Sequence, residues 1–164
     1  MAQRIPLTKG LYAVVDDDDY EHLSQWKWHV ITRGLRRYAA RTDHSTGKKR
    51  MILMHRVITA APAGMDVDHI NHDTLDNQRE NLRVATRSLN SINQRIKTNN
   101  TTGYKGVSLD RRRGTYNAYI TKDRARRFLG GYESAEEAAA AYDNAALELF
   151  GEFACTNASM GLLS

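Results

Sequence analysis

The chain has 164 residues, with 24 lysines and arginines against 19 acids and a formal net charge of +5, a size for one ordinary domain or two small ones and a balance that leans towards a polyanionic partner. The single cysteine, Cys155, excludes an intrachain disulfide and fits a reducing compartment. No apolar run reaches membrane length and the N-terminus lacks the apolar core of a signal peptide, so the expectation is a soluble, cytoplasmic protein without a membrane partner.

Residues 5–15, I-P-L-T-K-G-L-Y-A-V-V, read as strand material with Gly10 at a turn. The acids Asp16 to Asp19 suit the start of a helix, where the dipole favours negative charge, and Leu23 and Trp26 in the Tyr20–Trp28 stretch have helical spacing. Trp28, Val30 and Tyr38 to Ala40 follow as strands of a small antiparallel sheet, joined by the basic segment from Arg33 to Arg37. A polar turn at Thr42 to Lys49 leads into M-I-L-M-H-R-V-I (Met51–Ile58). Within this first third, Arg33, Arg36, Arg37 and Lys48 to Arg50 are candidates for contact with a polyanion, on equal terms with a solvated face.

The densest chemistry runs from Met65 to Gln94. Val67, His69 and Ile70 suit a short strand, Thr74 to Asn77 a turn-rich loop, and Leu82, Val84 and Ala85 a second strand. Thr86 is a plausible N-cap for a helix whose apolar stripe is Leu89, Ile92 or Asn93, and Ile96. A hairpin with a long loop followed by a helix would bring Asp68, His69 and Asn90 within reach of one another. His72 falls in the loop, and a zinc site from His55, His69 and His72 is disfavoured because no cysteine pairs flank them.

The polar segment T-N-N-T-T (residues 98–102) marks a linker. Three short strands are expected beyond it at Tyr104–Leu109, Thr115–Thr121 and Arg126–Tyr132, with turns at Arg111–Gly114 and Lys122–Ala125. Ser134-x-x-Glu137 is a capping box that opens a helix running to Phe150, with Gly151 as its terminator. The Ala138, Ala141, Ala145 stripe would face the sheet, met by Val107, Leu109, Ala118, Ile120 and Leu129. Residues 103–132 hold 8 bases and 2 acids, whereas 133–164 hold no base and 6 acids. One half of this region is therefore a face for phosphate.

Asp68-His69, Asn81 twelve residues after the histidine and Asn90 nine further on, with L-D-N (Leu75–Asn77) and E-N-L-R-V-A-T (Glu80–Thr86), resemble the HNH homing-type endonucleases of phages and mobile introns. The L-M-H-R-V-I segment also resembles the helix preceding the finger in those enzymes, with His55 packed or facing DNA. The resemblance implies a ββα-metal finger in which Asp68 and Asn90 hold one divalent cation, His69 is the general base and Asn81 fixes the loop that aims it. Asparagine at position 90, where the family often has histidine, favours a hard cation, Mg2+ first and Mn2+ second. It also implies a phage or mobile-element origin in a bacterial host.

A second resemblance covers residues 103–153: Y-K-G-V (Tyr104–Val107), F-L-G-G-Y (Phe128–Tyr132) and S-A-E-E-A-A-A-A-Y-D-N-A-A (Ser134–Ala146) are similar to the plant APETALA or ethylene-response-factor DNA-binding domain. In that family the sheet enters the major groove. By position, Lys105, Ser108, Asn117, Tyr119, Thr121, Arg126 and Phe128 would line the DNA face, with Arg111, Arg112 and Arg113 on phosphates. Ser108 and Thr121 stand where the plant domains usually have arginines, which reduces direct guanine readout.

The expected architecture is α+β. It comprises an accessory antiparallel β region (1–50), an HNH finger (51–98), a linker (99–102), a three-stranded sheet packed on one helix (103–155) and a tail (156–164). The expected activity is metal-dependent hydrolysis of double-stranded DNA, nicking as a monomer or cutting both strands as a homodimer. The alternative from another class is a DNA-binding regulator with an idle finger.

Overall fold

The computed structural model describes every residue except Arg95, Lys97, Thr98 and Ser164. It divides into two compact units, Met1–Arg87 and Ser88–Ser164. Both are α+β, built on small antiparallel sheets of two or three strands.

In the first unit β1 (Ala2–Pro6) and β2 (Tyr12–Asp16) pair antiparallel. The turn between them carries Lys9 and Gly10 at positive φ. Helix α1 (Asp17–Ser24) starts on the acid run, as the dipole argument requires, but ends before Trp26. The Trp28 indole N–H bonds the Leu23 carbonyl at 2.8 Å, so the chain leaves the helix to bury Trp28.

Strands β3 (His29–Arg33), β4 (Arg36–Asp43) and β5 (Arg50–Leu53) form a meander. It leads into helix α2 (Met54–Thr59) and then the hairpin of β6 (Asp66–His69) and β7 (Leu82–Ala85). One hydrophobic cluster joins Ile5, Val15, Leu23, Trp28, Ala39, Met54, Ile58 and Leu82. The N-terminal strands and the β6–β7 hairpin therefore share one core.

Polar bonds reinforce that union. The long β6–β7 loop docks on β2 through Val14 N–H to Leu75 O (2.9 Å) and Asn77 N–H to Val14 O (2.7 Å). The Asp16 carboxylate accepts the Arg79 backbone N–H at 2.7 Å, and Asp19 takes Arg79 in a two-point pair at 2.8 and 2.6 Å. The acid run thus begins a helix and also ties that helix to the loop.

The second unit begins at Ser88, one residue into α3 (Arg87–Ile92), and this helix stops short of Ile96, the last residue of its expected apolar stripe. Of the expected linker, Thr98 lies outside the described residues. Asn100 makes a compact turn, its side-chain oxygen accepting N–H from Thr102 (3.0 Å) and Gly103 (2.7 Å). Strands β8 (Val107–Asp110), β9 (Thr115–Lys122) and β10 (Ala125–Tyr132) make the sheet in the order β10-β9-β8. A register shift between Phe128 and Gly130 tucks Leu129 towards the core.

Helix α4 (Ala135–Phe150) has both halves of the Ser134/Glu137 capping box, and Gly151 ends it at φ +52. Its buried face is Ala138, Ala139, Tyr142, Ala146 and Phe150, rotated from the expected alanine stripe, with Ala141 and Ala145 only half-buried. The cause is Gly106 at φ +80, where an added Cβ would stand 2.0 Å from the Tyr142 ring. The tyrosine fills the space that this glycine leaves, and that sets the helix rotation. Leu109, expected to face the helix, is instead exposed beside the Arg111–Gly114 turn at the end of the sheet.

Residues 156–163 are held to the unit as well. The fully buried Asn157 donates its backbone and side-chain N–H to Asp143 Oδ1 on α4 (2.7 and 2.8 Å), and its own Oδ1 accepts the Lys105 N–H at 2.7 Å.

Candidate active site

Asp68 and His69 end strand β6, both 4 % exposed. The hairpin register puts Arg83 opposite Asp68 and Leu82 opposite His69. Cross-strand neighbours share a face, and Arg83 uses this by donating Nε and Nη2 to Asp68 Oδ2 at 2.9 and 2.7 Å. The pair is deeply buried, with the arginine side chain only 11 % exposed.

The loop after His69 is closed by Asn81. Its backbone carbonyl accepts the Ile70 N–H at 2.9 Å, its Oδ1 accepts the Asn71 N–H at 2.9 Å, and its Nδ2 donates to the Asp76 carbonyl at 2.8 Å. One buried amide thus spans both ends of the loop that leaves the histidine. Asn71 and Asp73 add internal turns, with Asn71 Nδ2 donating to Asp76 Oδ2 at 2.7 Å. His72 sits half-buried in this loop at φ +66.

The imidazole of His69 meets two aromatic neighbours. The His55 ring on α2 lies 5.2 Å away edge-to-face, and the Tyr38 ring on β4 lies 6.3 Å away. Burial lowers the His69 pKa below its ordinary value, with Asn77 and the nearby carboxylates pulling the other way. Burial pushes His55 down to about 3, with His69 and Arg56 adding to the effect. Both rings are therefore neutral at physiological pH, and a neutral imidazole can accept a proton.

Asp68, His69 and Asn81 come together in the first unit, while Asn90 lies half-buried on α3 in the second. Among the described residues no group of three or more His, Cys, Asp or Glu side chains could hold a metal ion. A divalent cation can be held by one or two carboxylates together with water and substrate phosphate. A buried carboxylate beside an imidazole is a fitting donor for it.

Sequence reading alone missed Arg83, Tyr38 and Asn77 as members of this site, while His55, expected packed or facing DNA, is buried against His69. Arg83 was recoverable, since pairing His69 with Leu82 forces it opposite Asp68. Tyr38 and His55 reach the site only through tertiary packing of β4 and α2.

In the second unit Asn117, Tyr119 and Thr121 alternate with the buried Ala118 and Ile120, so they share the sheet face away from α4. Phe128 pairs with Tyr119 and Arg126 with Thr121. The Phe128 ring, 56 % exposed, is 5.3 Å from Tyr119, and the Arg126 guanidinium lies 3.7 Å over the Tyr119 ring. Ser108 is opposite Asn117, and Arg111, Arg112 and Arg113 are exposed in the β8–β9 turn. Lys105 differs from the rest: its ammonium donates to the Ile92 and Gln94 carbonyls at 2.8 Å each, and burial lowers its pKa. The expected DNA-facing lysine instead holds the end of α3.

No helix among the described residues is long and apolar enough to cross a membrane. The family model described as HNH endonuclease matches residues 53–92. An uncharacterized HNH endonuclease of Acanthamoeba polyphaga mimivirus is 32 % identical over 155 residues, covering 91 % of this chain and 76 % of the relative. Protein 3.8 of Escherichia phage T7 is 31 % identical over 93 residues, covering 57 % and 76 %. An AP2-like ethylene-responsive transcription factor of Arabidopsis thaliana is 33 % identical over 112 residues, covering 61 % of this chain but 19 % of the plant protein. No solved structure matches significantly. The viral likeness over most of both chains and the family match over the Asp68–His69 hairpin agree, and the chain belongs to the HNH endonuclease family.

Proposed function

We propose that the protein is a metal-dependent DNA endonuclease with a ββα-metal finger, and that its second unit is an APETALA-type anchor for the duplex. The observation that supports this most is the buried Asp68–His69 pair at the end of β6, followed by a loop clamped by Asn81.

His69 takes a proton from water as the water oxygen attacks phosphorus and the P–O3′ bond breaks; the departing 3′ oxygen takes a proton from solvent, leaving 5′-phosphate and 3′-hydroxyl ends. Its neutral state at pH 7, maintained by burial, readies it for that role. Asp68 would hold one divalent cation together with water and substrate phosphate, Mg2+ in preference to Mn2+, and the cation when bound neutralises the scissile phosphate and stabilises the departing oxygen. Asn81 keeps the loop, and with it the imidazole, in one position.

Arg83 keeps the Asp68 carboxylate fixed on its strand. Removing one partner of a buried ion pair typically costs about 3–5 kcal/mol, and Asp68→Asn leaves the Arg83 charge uncompensated as alanine does, so metal ligation at Asp68 is tested with urea unfolding measured on the same variant. On the second unit, Ser108, Asn117, Tyr119, Thr121, Arg126 and Phe128 would face DNA, with Arg111 to Arg113 on phosphates.

The test is incubation of supercoiled plasmid with the protein and Mg2+, with and without chelator, alongside a solution mass measurement. Chelator-sensitive conversion to nicked or linear DNA supports the reading, and the mass separates a nicking monomer from a dimer that cuts both strands. Binding without metal-dependent cleavage would leave a DNA-binding regulator.

A further inference from the structure

The β3–β4 hairpin carries a charge arrangement that folding alone does not favour. Arg33 and Arg36 face each other directly across the hairpin and Arg37 follows. Like charges opposite one another on a sheet are destabilising. All three side chains are exposed, and among the described residues none enters an ion pair.

Between them lies a two-residue turn with Gly34 at φ +60 in its first central position, a glycine requirement of tight hairpins. The turn projects Leu35, which is 99 % exposed. A scattered exposed leucine is ordinary. One held at the tip of a short ribbon, between opposed arginines, lacks any folding rationale.

The hairpin is also tied to the candidate active site. Thr74, in the loop after His69, donates its hydroxyl to the Arg37 carbonyl. Tyr38, the next residue, packs against both His55 and His69. A phosphate held at His69 therefore has these arginines within one strand's length.

We propose that this hairpin is a second DNA contact, in which Leu35 wedges into the minor groove beside the cleavage site while Arg33, Arg36 and Arg37 hold the flanking phosphates. The inference rests on the nuclease reading for its substrate. An apolar side chain flanked by arginines is the pattern by which proteins open the minor groove of B-form DNA and bend it. The wide, shallow minor groove of A-form RNA would not grip a single leucine.

The experiment uses the full chain in chelator, so that no turnover occurs, with a mixed-sequence 30-base-pair duplex labelled at both ends. Polarisation against salt gives affinity, and energy transfer between the ends gives bending. The R33Q/R36Q/R37Q variant should lose about 2–3 from the slope of log affinity against log salt, since each phosphate contact contributes about 0.9. L35A should keep the wild-type slope but lose the bend and several-fold in affinity, and L35F should retain both. Netropsin on an AT-rich duplex should compete with wild type. An unchanged slope in the triple variant, an unchanged bend in L35A, indifference to netropsin, or equal affinity for duplex RNA would each overturn the proposal. Failure to cleave in Mg2+ with these binding results intact would sink the nuclease reading alone.

Discussion

Asn81→Ala separates a loop clamp from a merely structural asparagine. The substitution removes two side-chain hydrogen bonds, from the Asn71 N–H and to the Asp76 carbonyl, and leaves the backbone bond from Ile70 N–H to the Asn81 carbonyl, so the hairpin register survives. Each bond is worth about 0.5–1.5 kcal/mol net, which gives a loss of about 1–3 kcal/mol. The lower part of that range applies because Asn71 is exposed and water can replace its partner. Against a typical stability of about 5–15 kcal/mol the variant stays folded. Cleavage should nevertheless fall far more than the folded fraction does, because a displacement of about 1 Å at a catalytic group can cost on the order of 10²-fold. Urea unfolding and single-turnover plasmid cleavage, measured on the same preparation, test this. A rate within twofold of wild type beside the expected stability loss would refute the clamp, and so would full stability with full activity.

His69→Ala should lower the cleavage rate by about 10²–10⁴ with DNA affinity unchanged, and wild-type rates at equal metal would remove His69 as the base. In the wild type the acid limb of the pH–rate profile should lie below pH 6.5, since burial lowers the His69 pKa. His55 gives a stability prediction. Its folded pKa of about 3 lies below the unfolded 6.5, so the unfolded state binds the extra proton between those values. Its contribution is complete above pH 6.5 and is lost as pH falls towards 3, at about 1.4 kcal/mol per unit. His55→Phe should flatten the stability–pH slope by one proton in that window; parallel slopes by chemical denaturation at pH 5, 6 and 7 would refute this. Arg126→Ala should lower the salt slope of DNA binding by about 0.9, whereas Phe128→Ala should weaken binding with the slope unchanged. Equal salt titrations for all three proteins would remove the β9–β10 face from the DNA contact.

The sequence by itself carried the local information. Alternation and turn residues located the strands of both units to within a few residues, apart from β5, which no strand reading covered, and the Ser134/Glu137 box with Gly151 delimited α4, because caps and turns depend on near neighbours. The spacing of Asp68, His69, Asn81 and Asn90 carried the family for the same reason. Tertiary structure decided what depends on partners distant in the chain. It joined the first strands and the β6–β7 hairpin into one core, since neither buries its apolar face alone. It rotated α4 because Tyr142 fills the space left by Gly106, and it set Lys105 on the end of α3. It also surrounded His69 with Tyr38 and His55, whose burial keeps the imidazoles neutral. Desolvation is a property of packing, and no local pattern of residues encodes it.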